Sequence, residues 1–372
     1  MSESLAVPPA SPLRYDPSVE HLEKDEAETD AALTKTMLSI SETTFRDGGH
    51  ALRSVHAKSH GLLRGGLRVL DDVPAVLAQG LAAKPGATYP VAIRLSTVPG
   101  DILDDSVSTP RGMALKVVGV EGERLPGSEG DTTQDFVLVN GPAFNAPTAK
   151  TFLGNLKLLA ATTDKAEGAK KVASAALRGV ETVLEAFGHK SPTVTALGGQ
   201  RETHILGDTF YSQAPLLWGP YMAKVSVAPV SPELTALTDA PLDMNGKPNG
   251  IREAVVAFFQ QNGGEWELRV QLCTDLDSMP IEDASVPWPE DKSPYLPVAR
   301  IFVPPQDAWN EARSATVDDG MAFSPWHGLA AHRPIGSIMR ARKGAYPASA
   351  RFRAEHNGRA VAEPKTVLDL PG

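Results

Sequence analysis

The chain has 372 residues, 42% hydrophobic and 22% charged, with a formal net charge of −9. That composition supplies ample material for a globular core, and its acidic balance gives no electrostatic hold on nucleic acid. A single cysteine, Cys273, excludes an intrachain disulfide, so a reducing, cytoplasmic setting is expected.

The N-terminal stretch MSESLAVPPASPLRYDPS is rich in proline and serine and reads as a loose arm. It lacks the basic region and apolar core of a signal peptide, and nowhere do about eighteen apolar residues run together as a membrane span requires. Residues 18–47 read as a helix, acidic at its start. Short β-branched runs follow: SVHAKSHGLL, GLRVL, YPVAIRLSTV, GMALKVVGV and DFVLVN. Gly, Pro and Asp punctuate them, as expected of antiparallel strands. In the first run, RSVHAKSHG, the histidine His56 has a bland explanation: partial burial with one backbone partner. Arg94 and Ser96, two apart in VAIRLSTV, share a strand face. Asn140 stands beside Gly-Pro, where a turn former is ordinary. Residues 147–187 carry apolar residues at helical spacing and predict one or two helices.

Strands return at YMAKVSVAPV, REAVVAFFQ, EWELRVQL and VARIFVPP. Cys273, in WELRVQLCT, reads as a small buried strand residue. His60 and the cluster Trp218–Tyr221 read as packing. The last third is helical around MRARKGAYPASARFRAE, where Arg342, Tyr346 and Arg353 fall along one face. Pro347 predicts a kink at the tyrosine. Two blocks of strands with helices inserted and appended predict an α+β fold, a large antiparallel β-barrel decorated by helices. The expected organisation is an arm and helix over 1–40, the main domain over 41–355 and a tail over 356–372.

These segments, in this order, resemble the monofunctional heme catalases and their short catalase-related branch, the catalase-like peroxidases. The resemblance runs from about residue 40 to residue 355. RSVHAKSHG is similar to the stretch that carries the distal histidine. That implies His56 as catalytic base, Arg53 as a heme-propionate arginine, and Val55 as the apolar neighbour that crowds the iron face. IRLSTV implies that Arg94 holds a propionate and that Ser96 hydrogen-bonds His56. TPRGMALKV fits the family pattern. VNGPAF implies Asn140 as the distal asparagine, given a one-residue deletion, because the family has two asparagines and a threonine before the proline. With that deletion, Phe152 falls where the family stacks an aromatic ring on the porphyrin. FSPWHG resembles the approach to the proximal side. RKGAY resembles the proximal Arg-x-x-x-Tyr, which implies Tyr346 as the metal ligand, Arg342 favouring its phenolate, and Arg353 as the third propionate arginine.

The resemblance implies a catalase-type barrel and heme b as cofactor. It implies peroxidase or catalase activity on hydrogen peroxide or organic hydroperoxides, through a ferryl intermediate. The implied partners are a small-molecule peroxide, an organic electron donor and a second copy in a homodimer, with no nucleic acid and no membrane. The chain is shorter than ordinary catalases and ends soon after the proximal helix, so NADPH binding is not expected. A less enclosed cofactor suits larger donors, so peroxidase activity is expected alongside weaker catalase activity. Two alternatives stay open. One is a fatty-acid hydroperoxide isomerase of the allene-oxide-synthase kind; there a threonine tends to precede the histidine, whereas this chain has Val55. The other is a non-catalytic heme-binding protein. One geometric condition attaches to all three. Arg53 and His56 are an odd number apart and would face opposite sides of an ideal strand, so a bulge or a non-strand start is required at 53–55.

Overall fold

The computed structural model describes residues 8–9, 11–160 and 201–365. Nine strands form: β1 (Ser59–Val69), β2 (Thr88–Thr97), β3 (Arg111–Val118), β4 (Thr133–Val139), β5 (Phe210–Tyr211), β6 (Leu216–Trp218), β7 (Tyr221–Pro229), β8 (Gly264–Leu272) and β9 (Leu296–Val303). All pairings are antiparallel, in the order β5-β4-β3-β2-β1-β9-β8-β7-β6. A further pairing of β5 with β7, Phe210 opposite Val227, closes eight of them into a barrel and leaves β6 as an appendage.

Period-two alternation decides what enters the barrel. Val91, Ile93 and Leu95 of β2 point inward, as do Met113, Leu115 and Val117 of β3, Val225 and Val227 of β7, and Leu268 and Val270 of β8. An eight-stranded barrel is just wide enough to be filled by such side chains, and this one is filled. The intervening residues of β2–β4, Arg94 and Ser96 among them, therefore face outward.

The longer helices among the described residues are α1 (Glu26–Gly48), α2 (Ala149–Ala160), α3 (Gly250–Phe259) and α4 (Ser337–Asn357). Helices α1 and α4 each end on a left-handed glycine, Gly49 at φ +69° and Gly358 at φ +60°, which returns a backbone N–H to the last turn. Leu33, Met37 and Ile40 of α1 pack against Ala341 and Ala345 of α4 and Leu156 of α2. Helix α1 runs through residue 40 and is sandwiched in this way. The later part of the 147–187 helical stretch lies outside the described residues.

Two expectations are corrected. REAVVAFFQ is not a strand. It forms most of α3, because Ile251, Val255 and Phe259 recur every four residues and bury one helical face in the barrel core. Its two valines and paired phenylalanines gave the local strand signal that this packing overrode. Nor is the N-terminal arm loose throughout. Leu13 N–H donates to the Cys273 carbonyl at 2.7 Å and Tyr15 N–H to that of Pro220 at 2.8 Å, while Glu20 and Glu26 bind Arg340 of α4. Cys273 is fully buried, as expected. Among the described residues no helix is long and apolar enough to cross a membrane.

Candidate active site

The geometric condition on Arg53 and His56 is met because the chain is not yet a strand there: β1 begins at Ser59. His56 sits at φ +57°, a left-handed conformation that costs a non-glycine residue energy and persists only where surroundings fix it. They do so here. His56 N–H donates to the Val98 carbonyl at 2.7 Å, and Ala57 N–H to that of Pro99 at 3.0 Å. The ring nitrogen Nδ1 lies 3.0 Å from Ser96 Oγ. On the neighbouring strand, a Cβ at Gly112 would come within 2.6 Å of the imidazole, so the ring rests on bare backbone. Gly112→Ala is accordingly expected to displace the ring or strain β3, at about 1–3 kcal/mol. Thermal unfolding checks this; an unchanged Tm would show that the ring has room to spare. Burial pushes the His56 pKa down to about 3, assisted by the cations of Arg94, Arg342 and Arg53, so the imidazole is neutral at ordinary pH.

Facing it, α4 presents Arg342, Tyr346, Ser349 and Arg353 on one side, all lining an inner chamber of about 100 Å³. Beside it lies a second, outer cavity of about 750 Å³, and His56, Val55, Arg342 and Tyr346 line both. Ser349 Oγ accepts from the N–H and hydroxyl of Ser54, which ties α4 to the histidine loop. The Arg342 guanidinium contacts Met339 Sδ and lies over the Phe144 ring. Phe152 lines the outer cavity and packs edge-on against Phe144 at 4.9 Å.

One end of the chamber is strongly cationic. Arg53, Arg94 and Arg353 converge there on the segment 317–321, whose only carboxylate toward all three is Asp318. Arg94 Nε donates to Asp318 Oδ1 at 2.7 Å. Arg53 donates to the carbonyls of Val317, Asp318 and Met321, and Arg353 to those of Asp318, Asp319 and Met321. Burial pushes the Asp318 carboxyl up, but Arg94, Arg53 and hydrogen bonds from Ser59 and Arg94 outweigh that and hold it below its usual range. Three guanidiniums against the two carboxylates of Asp318 and Asp319, the latter toward Arg53 and Arg353, still leave a positive surplus in a buried place. Arg353 Nε is buried without a partner, and Arg94 Nη1 has none among the described residues. An apolar chamber with donors left over at one end suits a ligand with an apolar body and carboxylates at its edge.

Of the candidate residues named from the sequence, His56, Ser96, Arg53, Val55, Arg94, Arg342, Tyr346 and Arg353 all line the inner chamber. Asn140 lines the cavity that His56 and Tyr346 also reach, not the inner chamber. Its Oδ1 accepts from Arg111 N–H at 2.8 Å, and its Nδ2 donates to Asp208 at 3.0 Å. Val139 stands at the chamber instead. Sequence reasoning missed Gly112, Asp318 and Gln213. For Gly112 a signal existed: a glycine inside a strand marks close approach of another group.

No family model matches the chain, and no curated protein matches its sequence. Solved structures do match. A fungal catalase is 19% identical with a TM-score of 0.58, over 96% of this chain and 67% of that one. Catalase A from Saccharomyces cerevisiae is 18% identical with a TM-score of 0.57, over 95% and 71%. A bacterial catalase is 16% identical with a TM-score of 0.56, over 98% and 68%. This is the catalase fold. The barrel, the helices and the expectation of an α+β catalase-type architecture agree along nearly the whole chain.

Proposed function

We propose that the chain binds heme b between His56 and Tyr346 and turns over hydrogen peroxide or organic hydroperoxides. The observation that carries this is that these two residues, 290 positions apart, line the same two cavities of a catalase fold. Tyr346 would hold the iron through its phenol oxygen. Arg94 and Arg353, with unpartnered N–H groups, would take the propionates, while Arg53 mainly fixes the 317–321 segment beside them. Phe152 and Val55 would supply apolar contact. Bound there, heme supplies a redox-active iron that can accept the oxidising equivalents of a peroxide bond.

The protein's own part is acid–base chemistry. With Nδ1–H donating to Ser96 Oγ, His56 keeps a bare lone pair on Nε2. That nitrogen takes the proton from one peroxide oxygen and returns it to the other, which leaves as water (or as an alcohol from an organic hydroperoxide). Such transfer is worth about 10²–10⁴ in rate. The roomy outer cavity favours organic donors and hydroperoxides, hence peroxidase activity above catalase activity.

The test is the heme-reconstituted full-length protein. Dye oxidation with guaiacol and hydrogen peroxide is expected to exceed oxygen evolution. Consumption of a lipid hydroperoxide with neither of these would put the isomerase reading first. Failure to develop a Soret band would end the proposal.

A further inference from the structure

Whereas Asn140 lines the outer cavity alone, the side-chain amide that lines the inner chamber is Gln213. It lies between β5 and β6, lines both the inner chamber and the outer cavity, and is 7% exposed. Its backbone is at φ +60°. Among the described residues only His56, Gln213 and Asp239 adopt such a conformation without being glycine, and all three line the outer cavity. Strain that gathers around one cavity is strain kept for positioning.

The side chain is pinned at one end. Gln213 Nε2 donates to the carbonyls of Gly141 at 3.1 Å and Ala143 at 2.7 Å, which takes up both amide hydrogens. Because both partners are carbonyls, the amide has one orientation; flipped, its oxygen would face two acceptors. What remains is Oε1, an acceptor without a partner among the described residues. A lone acceptor in a part-buried cavity favours a ligand hydrogen as its partner.

We propose that Gln213 is a substrate-positioning residue whose Oε1 accepts a hydrogen bond from the O–H of an organic ligand, an alcohol, phenol or hydroperoxide, held beside His56. The nature of the reaction served rests on the function proposed above; the binding preference does not require turnover. The site therefore prefers a hydroxyl compound over its O-methyl analogue.

Phenol and anisole, titrated by calorimetry into the heme-loaded full-length protein, test this. Wild type is expected to bind phenol about tenfold more tightly than anisole. Gln213→Met should bring the two affinities together while leaving that for anisole in place. Gln213→Glu, which keeps an acceptor in its neutral form, should retain the preference. A ratio near one in wild type, or a ratio unchanged in a folded Met variant, overturns the assignment. If the Met variant does not fold, His56→Ala decides. Oε1 is still present there, so the preference must persist, and its loss would give the acceptor role to the imidazole. Absent peroxide turnover with the phenol preference intact would strike the proposed reaction and leave this site standing.

Discussion

Replacing His56 by alanine is expected to lower peroxide turnover by about 10²–10⁴ while heme content stays at the wild-type level. Everything around this ring serves its position and its charge state. The backbone is held at φ +57°, Ser96 Oγ engages Nδ1, and Gly112 leaves the ring a flat bed. Burial, with three arginines nearby, keeps the imidazole neutral. A neutral ring with one nitrogen occupied is a proton shuttle with a single free site. None of these contacts reaches the arginine cluster or Tyr346, so removing the ring should not release the cofactor. Steady-state peroxide kinetics and a pyridine hemochrome assay on the same preparation measure the two quantities separately. Equal rates in wild type and variant would mean a heme carrier on a catalase scaffold. Ser96→Ala should cost less than His56→Ala, since it frees the tautomer and ring angle and leaves the base in place.

Much of this site was readable along the chain, for a physical reason. Strand alternation fixes faces, so Arg94 and Ser96 had to emerge together from the outer wall of β2. Helical periodicity did the same for Arg342, Tyr346 and Arg353 on α4. The rest depended on contacts far away in sequence. That Asn140, a cavity residue, is oriented by Arg111 and Asp208 could not be read from its own segment. Gln213 is pinned by carbonyls some seventy residues earlier, at 141 and 143. Asp318 acquires its meaning only when arginines 53, 94 and 353 meet around it. REAVVAFFQ carried a local preference for strand, and burial of its i, i+4, i+8 face against the barrel decided otherwise.

Tyr346→Phe is expected to reduce heme occupancy more than about tenfold and to leave the fold intact. The phenol oxygen has no hydrogen-bond partner among the described residues, so its removal breaks nothing within the protein. The ring remains and keeps its place on the chamber wall. What is lost is the α4 oxygen proposed to hold the iron; the other one lining the chamber, Ser349 Oγ, is engaged by the N–H and hydroxyl of Ser54. The arginines cannot replace it, because they grip carboxylates at the edge of a ligand and offer no electron pair to a metal. Pro347 sharpens the argument. It sits inside α4 directly after the tyrosine and leaves the carbonyl of residue 343 without its intrahelical donor. A helix interior accepts that only if the surrounding packing holds it, and Ala345, Ala348 and Phe352 are buried on either side. Far-ultraviolet circular dichroism and Tm should therefore match wild type while the Soret absorbance per chain falls. Arg353→Met should lower occupancy by a smaller factor, as it removes the buried, unpartnered Nε–H at the cationic end of the chamber. Full occupancy and an unaltered visible spectrum in Tyr346→Phe would show that iron takes its axial ligand elsewhere, and the opposed pair of His56 and Tyr346 would no longer describe the site.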